Sequence, residues 1–280
     1  MKNTIQTLLR LALVAALTFS LTVFAEEDKP TFKDAAKDLI AKIRPMMAKD
    51  RDGAVTAYLK GARDLAKQFP AEVGPRAMML EAASMSSDEK LKKKVITELA
   101  GLKDEKFARI TDRAKAELKK MNAIGNPVAI KFTAVDGRKV DLSKMKGKVV
   151  LIDFWAIWCG PCIATFPHLR DWREKFSDKG LVIIGLTRKY NYAWNADTGR
   201  ASKVKDENTT EQEHEMLAHF AKHHKLKHVF ALQKNRDISD YYGVMGIPQV
   251  VVIDRQGKVR LIRVGSGEKN AHDVGAMIKK

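Results

Sequence analysis

Cysteine is almost missing from this chain: its 280 residues contain two, Cys159 and Cys162. A zinc site that needs a second cysteine pair is excluded, and so is a fold stapled by disulfides between distant segments. Long apolar runs are missing after the first 25 residues, so no later segment is long enough to cross a bilayer. Acidic side chains are in deficit, 34 against 51 lysines and arginines, for a formal charge of +17. That excess would favour acidic partners or an anionic membrane surface, but a solvated lysine-rich surface accounts for it. The sequence has no nucleic-acid motif, and no nucleic-acid partner is expected.

Residues 1–25 read as a secretory signal. Lys2 and Arg10 form a positive start, Leu11 to Phe24 is apolar, and Val23-Phe24-Ala25 ends in a small residue ahead of Glu26-Glu27-Asp28. Removing it takes away two positive charges and no negative ones, from +17 to +15. An exported chain of the periplasm or cell envelope is implied, membrane-associated where the signal is kept. Export means an oxidising compartment, in which both thiols are free to do chemistry rather than staple the core.

The two cysteines stand in Trp158-Cys159-Gly160-Pro161-Cys162, directly after the apolar run Val149 to Trp155. The run reads as a buried strand, and Pro161 suits the first turn of a helix. Two thiols at a helix N-terminus can close reversibly into a disulfide, and the free N–H groups favour the thiolate of the first. Covalent haem attachment would need a histidine where Ile163 stands. Closing so short a loop stabilises the fold little, which argues against a purely structural bridge. Asp153 lies inside the apolar run, where burial raises the pKa of a carboxyl that is not hydrogen-bonded.

Two regions differ in pattern. Residues 31–122 are rich in helix formers, with apolar positions at helical spacing such as Ala54, Tyr58, Ala62 and Leu65, and predict about five amphipathic helices. Residues 126–280 alternate strands and helices: a hairpin around Asp136-Gly137, the strand Val149 to Trp155, a helix from Gly160 to about Phe176 kinked by Pro167, and a strand Leu181 to Leu186. A polar surface loop is expected over Arg188 to Thr210, then a helix Glu211 to Lys225, a strand Val229 to Leu232, a hairpin around Gln256-Gly257 and a closing helix. The fold class is α/β, a mixed sheet flanked by helices behind a small all-helical region of unassigned role.

Gly147 to Cys162, Phe166-Pro167-His168-Leu169, Tyr242 to Pro248 and Ile253 to Val259 resemble the thioredoxin superfamily, most closely its exported TlpA/ResA-like branch. The resemblance covers about Ala123 to Lys280. It implies a thioredoxin-like domain and a thiol–disulfide oxidoreductase that reduces protein disulfides. Cys159 would be the exposed, attacking thiolate and Cys162 the resolving thiol, the two forming the redox-active disulfide. Asp153 would assist proton transfer to Cys162. Trp158 would shield the pair, and Ile247 with Pro248, at the family's cis-proline position, would bind substrate main chain. Thr165 stands where many exported relatives have a glutamate, and Gly185 where thioredoxin has a lysine. No bound cofactor is needed. The partners implied are protein thiol or disulfide substrates and a dithiol electron donor, one option being a membrane protein.

Other readings stay open. A disulfide oxidase or isomerase would use the same pair, and a redox-sensing interaction protein would use the helical region to bind a partner. His214, His219, His223, His224 and His228 cluster in sequence, but a solvated helix face is favoured over a metal site, and no metal is assigned. Met46, Met47, Met78, Met79 and Met85 read as core filler. Tyr190, Tyr192 and Trp194 lie in the polar loop, where they serve either partner recognition or a small satellite core.

Overall fold

A computed structural model describes residues 30–280; the signal-like segment 1–25 lies outside the described residues. Contacts divide the chain into two units, one up to Asp88 and one from Glu89 to Lys280. The helical region is therefore shared between them.

The first unit holds α1 (Phe32–Met47), α2 (Arg51–Gln68) and α3 (Gly74–Met85). Thr31 and Asp50 cap α1 and α2 by accepting from the Asp34 and Gly53 backbone N–H groups. Pro45 does not end α1, because it falls in the last turn. Val55, Leu59, Leu65, Met79 and Leu80 form the buried face, and the Tyr58 hydroxyl donates to Glu81 at 2.8 Å. Met78 and Met79 are buried as core filler, whereas Met46 is exposed.

The second unit opens with α4 (Glu89–Ala100) and α5 (Ala108–Ala123), then the hairpin β1 (Lys131–Thr133) and β2 (Lys139–Asp141). The turn between them uses Gly137 at φ +84°, a left-handed conformation that suits glycine. The main sheet has five strands: β3 (Val149–Phe154), β4 (Leu181–Arg188), β7 (Val229–Gln233), β8 (Gln249–Ile253) and β9 (Val259–Val264), in the order β7-β4-β3-β8-β9. β4 runs parallel to β3 and β7, while β8 is antiparallel to β3 and β9. All six residues of β3 are buried. Alternation divides its side chains between two cores: Val149 and Leu151 on one face, Val150, Ile152 and Phe154 on the other.

The helix expected from Gly160 to Phe176 is broken in two, α6 (Gly160–Ile163) and α7 (Phe166–Phe176). Pro167 sits in the first turn of α7, where its missing N–H costs nothing. The segment Arg188 to Thr210 is not a plain loop. It builds a second hairpin, β5 (Tyr192–Asn195) with β6 (Arg200–Lys203), ahead of α8 (Thr210–His223). Then follow α9 (Asp237–Tyr241) and, at the end, α10 (Glu268–Lys279).

Gly243, between α9 and β8, fixes α5 to the sheet domain. Its φ is +57°, and a Cβ there would run into the Ala116 carbonyl of α5. Gly243→Ala is expected to destabilise the protein by about 3 kcal/mol through backbone strain and overpacking. Gly246→Ala, three residues on in open space, is expected to be near neutral. Urea unfolding of both variants checks this, and equal midpoints would refute it.

Candidate active site

β3 ends at Phe154, and the chain passes through Trp155, Ala156, Ile157 and Trp158 to Cys159. Trp155 anchors this turn, stacking on Phe220 with ring centres 5.1 Å apart and meeting Phe166 and Phe230 edge-on. The cysteines are therefore held by a packed aromatic cluster rather than by a free loop.

Cys159 caps α6 and is joined to Cys162 in a disulfide. Its Sγ accepts a hydrogen bond from the Cys162 N–H at 3.2 Å. In a reduced pair the same donor favours a thiolate on Cys159. The expectation of an exposed Cys159 is corrected by this geometry. Cys159 is only 3% exposed and Cys162 is fully buried, since both belong to the core cluster around Trp155. Trp158, next to Cys159, is the exposed group at 39%.

Asp153 is fully buried. Strand alternation puts its side chain on the face of Leu151, the face whose core holds both cysteines. Neither carboxyl oxygen has a hydrogen-bond partner among the described residues. Loss of water disfavours the charged form and pushes its pKa up to about 7. Gly185 stands directly across on β4. A Cβ there would lie 2.9 Å from the Trp155 Nε1 and from the Phe230 ring, so these rings take the space that a side chain would use. Thr165 makes a local bond instead, its hydroxyl donating to the Cys162 carbonyl at 2.7 Å.

On the other side of β3, Gln249 of β8 pairs with Phe154 and places Ile247 and Pro248 beside the strand's end. The Ile247–Pro248 peptide bond is cis. Ile247 packs against both cores, and Gln249 is locked by donating to the Tyr242 carbonyl at 2.9 Å.

Of the five histidines, His223 and His224 meet, with ring centres 4.8 Å apart. His219 and His223 are exposed, while His224 packs on Phe220 with ring centres 4.3 Å apart. Burial pushes the His228 pKa down to about 3, helped by Arg173. Among the described residues, no group of three or more histidine, cysteine or carboxylate side chains could hold a metal ion.

Tyr190 and Tyr192, which the sequence left open between partner recognition and a satellite core, pack against the main core beside Trp158, their rings 5.2 and 5.5 Å from its ring. Tyr192 and Trp194 alternate along β5 and share one of its faces, while Tyr190 precedes the strand.

The Redoxin family model matches residues 119–278. The chain belongs to the Redoxin family. It is 30% identical to the thiol-disulfide oxidoreductase ResA of Bacillus thuringiensis subsp. konkukian over 148 residues, 53% of this chain and 72% of that protein. The ResA of Bacillus subtilis is 28% identical over 145 residues, 51% of this chain and 69% of its own. A Chlorobium tepidum chain described as a thiol:disulfide interchange protein DsbE superposes with a TM-score of 0.43 at 27% identity, over 56% of this chain and 95% of its own. The protein is a thiol–disulfide oxidoreductase of the thioredoxin superfamily, TlpA/ResA-like.

Burial of Asp153 gives a stability test. Unfolded, its carboxyl ionises near 3.8; folded, it keeps its proton to about 7. The folded state binds more protons in that window, so this group's contribution to stability falls as pH rises from about 4 to 7. At higher pH the penalty is constant, on the order of 4 kcal/mol. Asp153→Asn is expected to stabilise the oxidised protein by about 2 kcal/mol or more at pH 8, with the gain vanishing near pH 4. Urea unfolding at the two pH values reads it, and a gain independent of pH would contradict a raised pKa.

Proposed function

We propose that the protein is exported and reduces protein disulfides in the periplasm or cell envelope through Cys159 and Cys162. In this reading residues 1–25 are the export signal, residues 126–280 the thioredoxin-like catalytic domain and residues 31–122 an accessory helical region. The observation that carries it is the chain's two cysteines, bonded to each other at the end of the buried central strand, on the sheet face of the partnerless Asp153.

The Cys159 thiolate attacks one sulfur of a substrate disulfide. A Cys159–substrate disulfide forms, the substrate S–S bond breaks, and the departing sulfur takes a proton. Cys162 then gives its proton to the Asp153 carboxylate and attacks the Cys159 sulfur. The Cys159–Cys162 bond forms, the Cys159–substrate bond breaks, and the second substrate sulfur leaves and takes a proton. Two electrons pass to the substrate, and a separate dithiol protein, in the membrane or the envelope, returns them. With its pKa pushed up to about 7, Asp153 is half ionised near neutral pH, the state suited to a proton carrier. Ile247 and Pro248 hold substrate main chain, and Trp158 covers the pair.

The test is reduction of insulin by dithiothreitol with catalytic amounts of the protein. The protein is expected to accelerate it at least about tenfold, and Cys159→Ser to abolish the effect. Asp153→Asn is expected to slow resolution of the mixed disulfide on the order of 100-fold while changing the first attack far less. Equilibration with glutathione fixes direction: a reductase is expected to lie near roughly −270 mV, and a value near roughly −120 mV would make it an oxidant instead.

A further inference from the structure

We propose that Tyr190 and Tyr192, with Trp158, form a specificity wall that selects disulfides whose cysteine is flanked by an aromatic residue. The inference rests on the reductase reading above and names the substrate class of the same site.

The sheet order sets the geometry. β3 delivers the cysteines, β4 lies on one side of it and β8 on the other. Leu186 of β4 and Gln249 of β8 both stand level with Phe154. The segment leaving β4 after Arg188 and the segment entering β8 through Ile247 and Pro248 therefore flank the redox pair from opposite sides. The β8 side supplies main chain. The β4 side supplies rings: Trp158 meets Tyr190 edge-on and lies at a shallow angle over Tyr192.

Three features show that this wall is fixed rather than incidental. The Arg188 guanidinium sits 4.4 Å from the centre of the Tyr190 ring. Trp194, on the strand face of Tyr192, packs the hairpin on α8 against buried Phe220 and exposed His223. Asn208 bridges the hairpin to α8, donating to the Tyr192 carbonyl at 3.3 Å and to buried Glu213 at 3.0 Å, while Lys189 donates to the Asn208 carbonyl at 2.7 Å. The rings are thus pre-positioned, and binding costs little ordering of side chains.

Such a wall discriminates by what lies next to the substrate sulfur. Cys159 is almost covered, so a partner reaches it beside Trp158, the exposed member of the wall. An aromatic side chain adjacent to the substrate cysteine stacks there in the mixed-disulfide transition state, an advantage of about threefold to tenfold for one ring pair. A serine at that place gains nothing.

The experiment measures second-order rate constants for the reduced protein with two peptide disulfides, identical except for phenylalanine or serine beside the cysteine. The wild type is expected to favour the phenylalanine peptide by about tenfold. Tyr190→Ala/Tyr192→Ala is expected to cut the preference to about twofold or less, leaving the rate on the serine peptide and the equilibrium with glutathione within about twofold of wild type. Trp158→Ala provides an independent arm should the double variant not fold: it is read by the ratio of the two peptide rates alone, with the same loss of preference expected. Equal wild-type rates on the two peptides, or a preference that survives these substitutions, overturns the wall alone. Failure of wild type to reduce either peptide overturns the reductase reading instead.

Discussion

Everything at this site depends on one strand being buried on both faces. β3 has neighbours on either side, a core above and a core below, and six buried residues in a row. A strand so enclosed cannot move its end, so the turn Trp155 to Trp158 starts from a fixed point. Trp155 adds rings on three sides. The cysteines inherit that rigidity, which keeps the two sulfurs within reach of each other through a reaction that makes and breaks their bond.

The same burial creates the site's acid–base character. A carboxyl in this strand is sealed from bulk solvent and has no donor among the described residues, and its neutral form is favoured up to about pH 7. The fold tolerates a group that it could replace with an apolar residue at a gain in stability. That cost falls on the sheet face occupied by the redox pair, as the proposed proton transfer from Cys162 requires. Gly185 contributes by being small: with a side chain there, Trp155 and Phe230 could not close over the strand.

Much of this was legible from residues alone. Apolar runs marked β3 and β4, Asp136-Gly137 and Gln256-Gly257 marked the turns of two hairpins, and five helices followed from periodicity. The lone cysteine pair and the carboxylate in the run Val149 to Trp155 pointed to the candidate site, where the structure has a disulfide and a buried carboxyl on one sheet face. Three features were not legible, each for a physical reason. The division at Asp88 depends on which apolar faces meet, and α4 and α5 have the same amphipathic pattern as α1 to α3. The hairpin of β5 and β6 is polar and short, so the alternation of its aromatics was outweighed by its composition. The covering of Cys159 depends on packing around Trp155, and a helix-terminus argument carries no information about that.

In the proposed cycle Cys159 exchanges with substrate and Cys162 resolves. The most direct measurement is to present a disulfide peptide to reduced Cys162→Ser and to reduced Cys159→Ser and to identify the stable adduct of each by mass spectrometry. A stoichiometric mixed disulfide is expected on Cys159 in the first variant and little or none on Cys162 in the second, because the helix N–H groups favour a thiolate on Cys159 and Cys162 lies deeper. Equal adducts on both, or an adduct on Cys162 alone, would contradict that cycle.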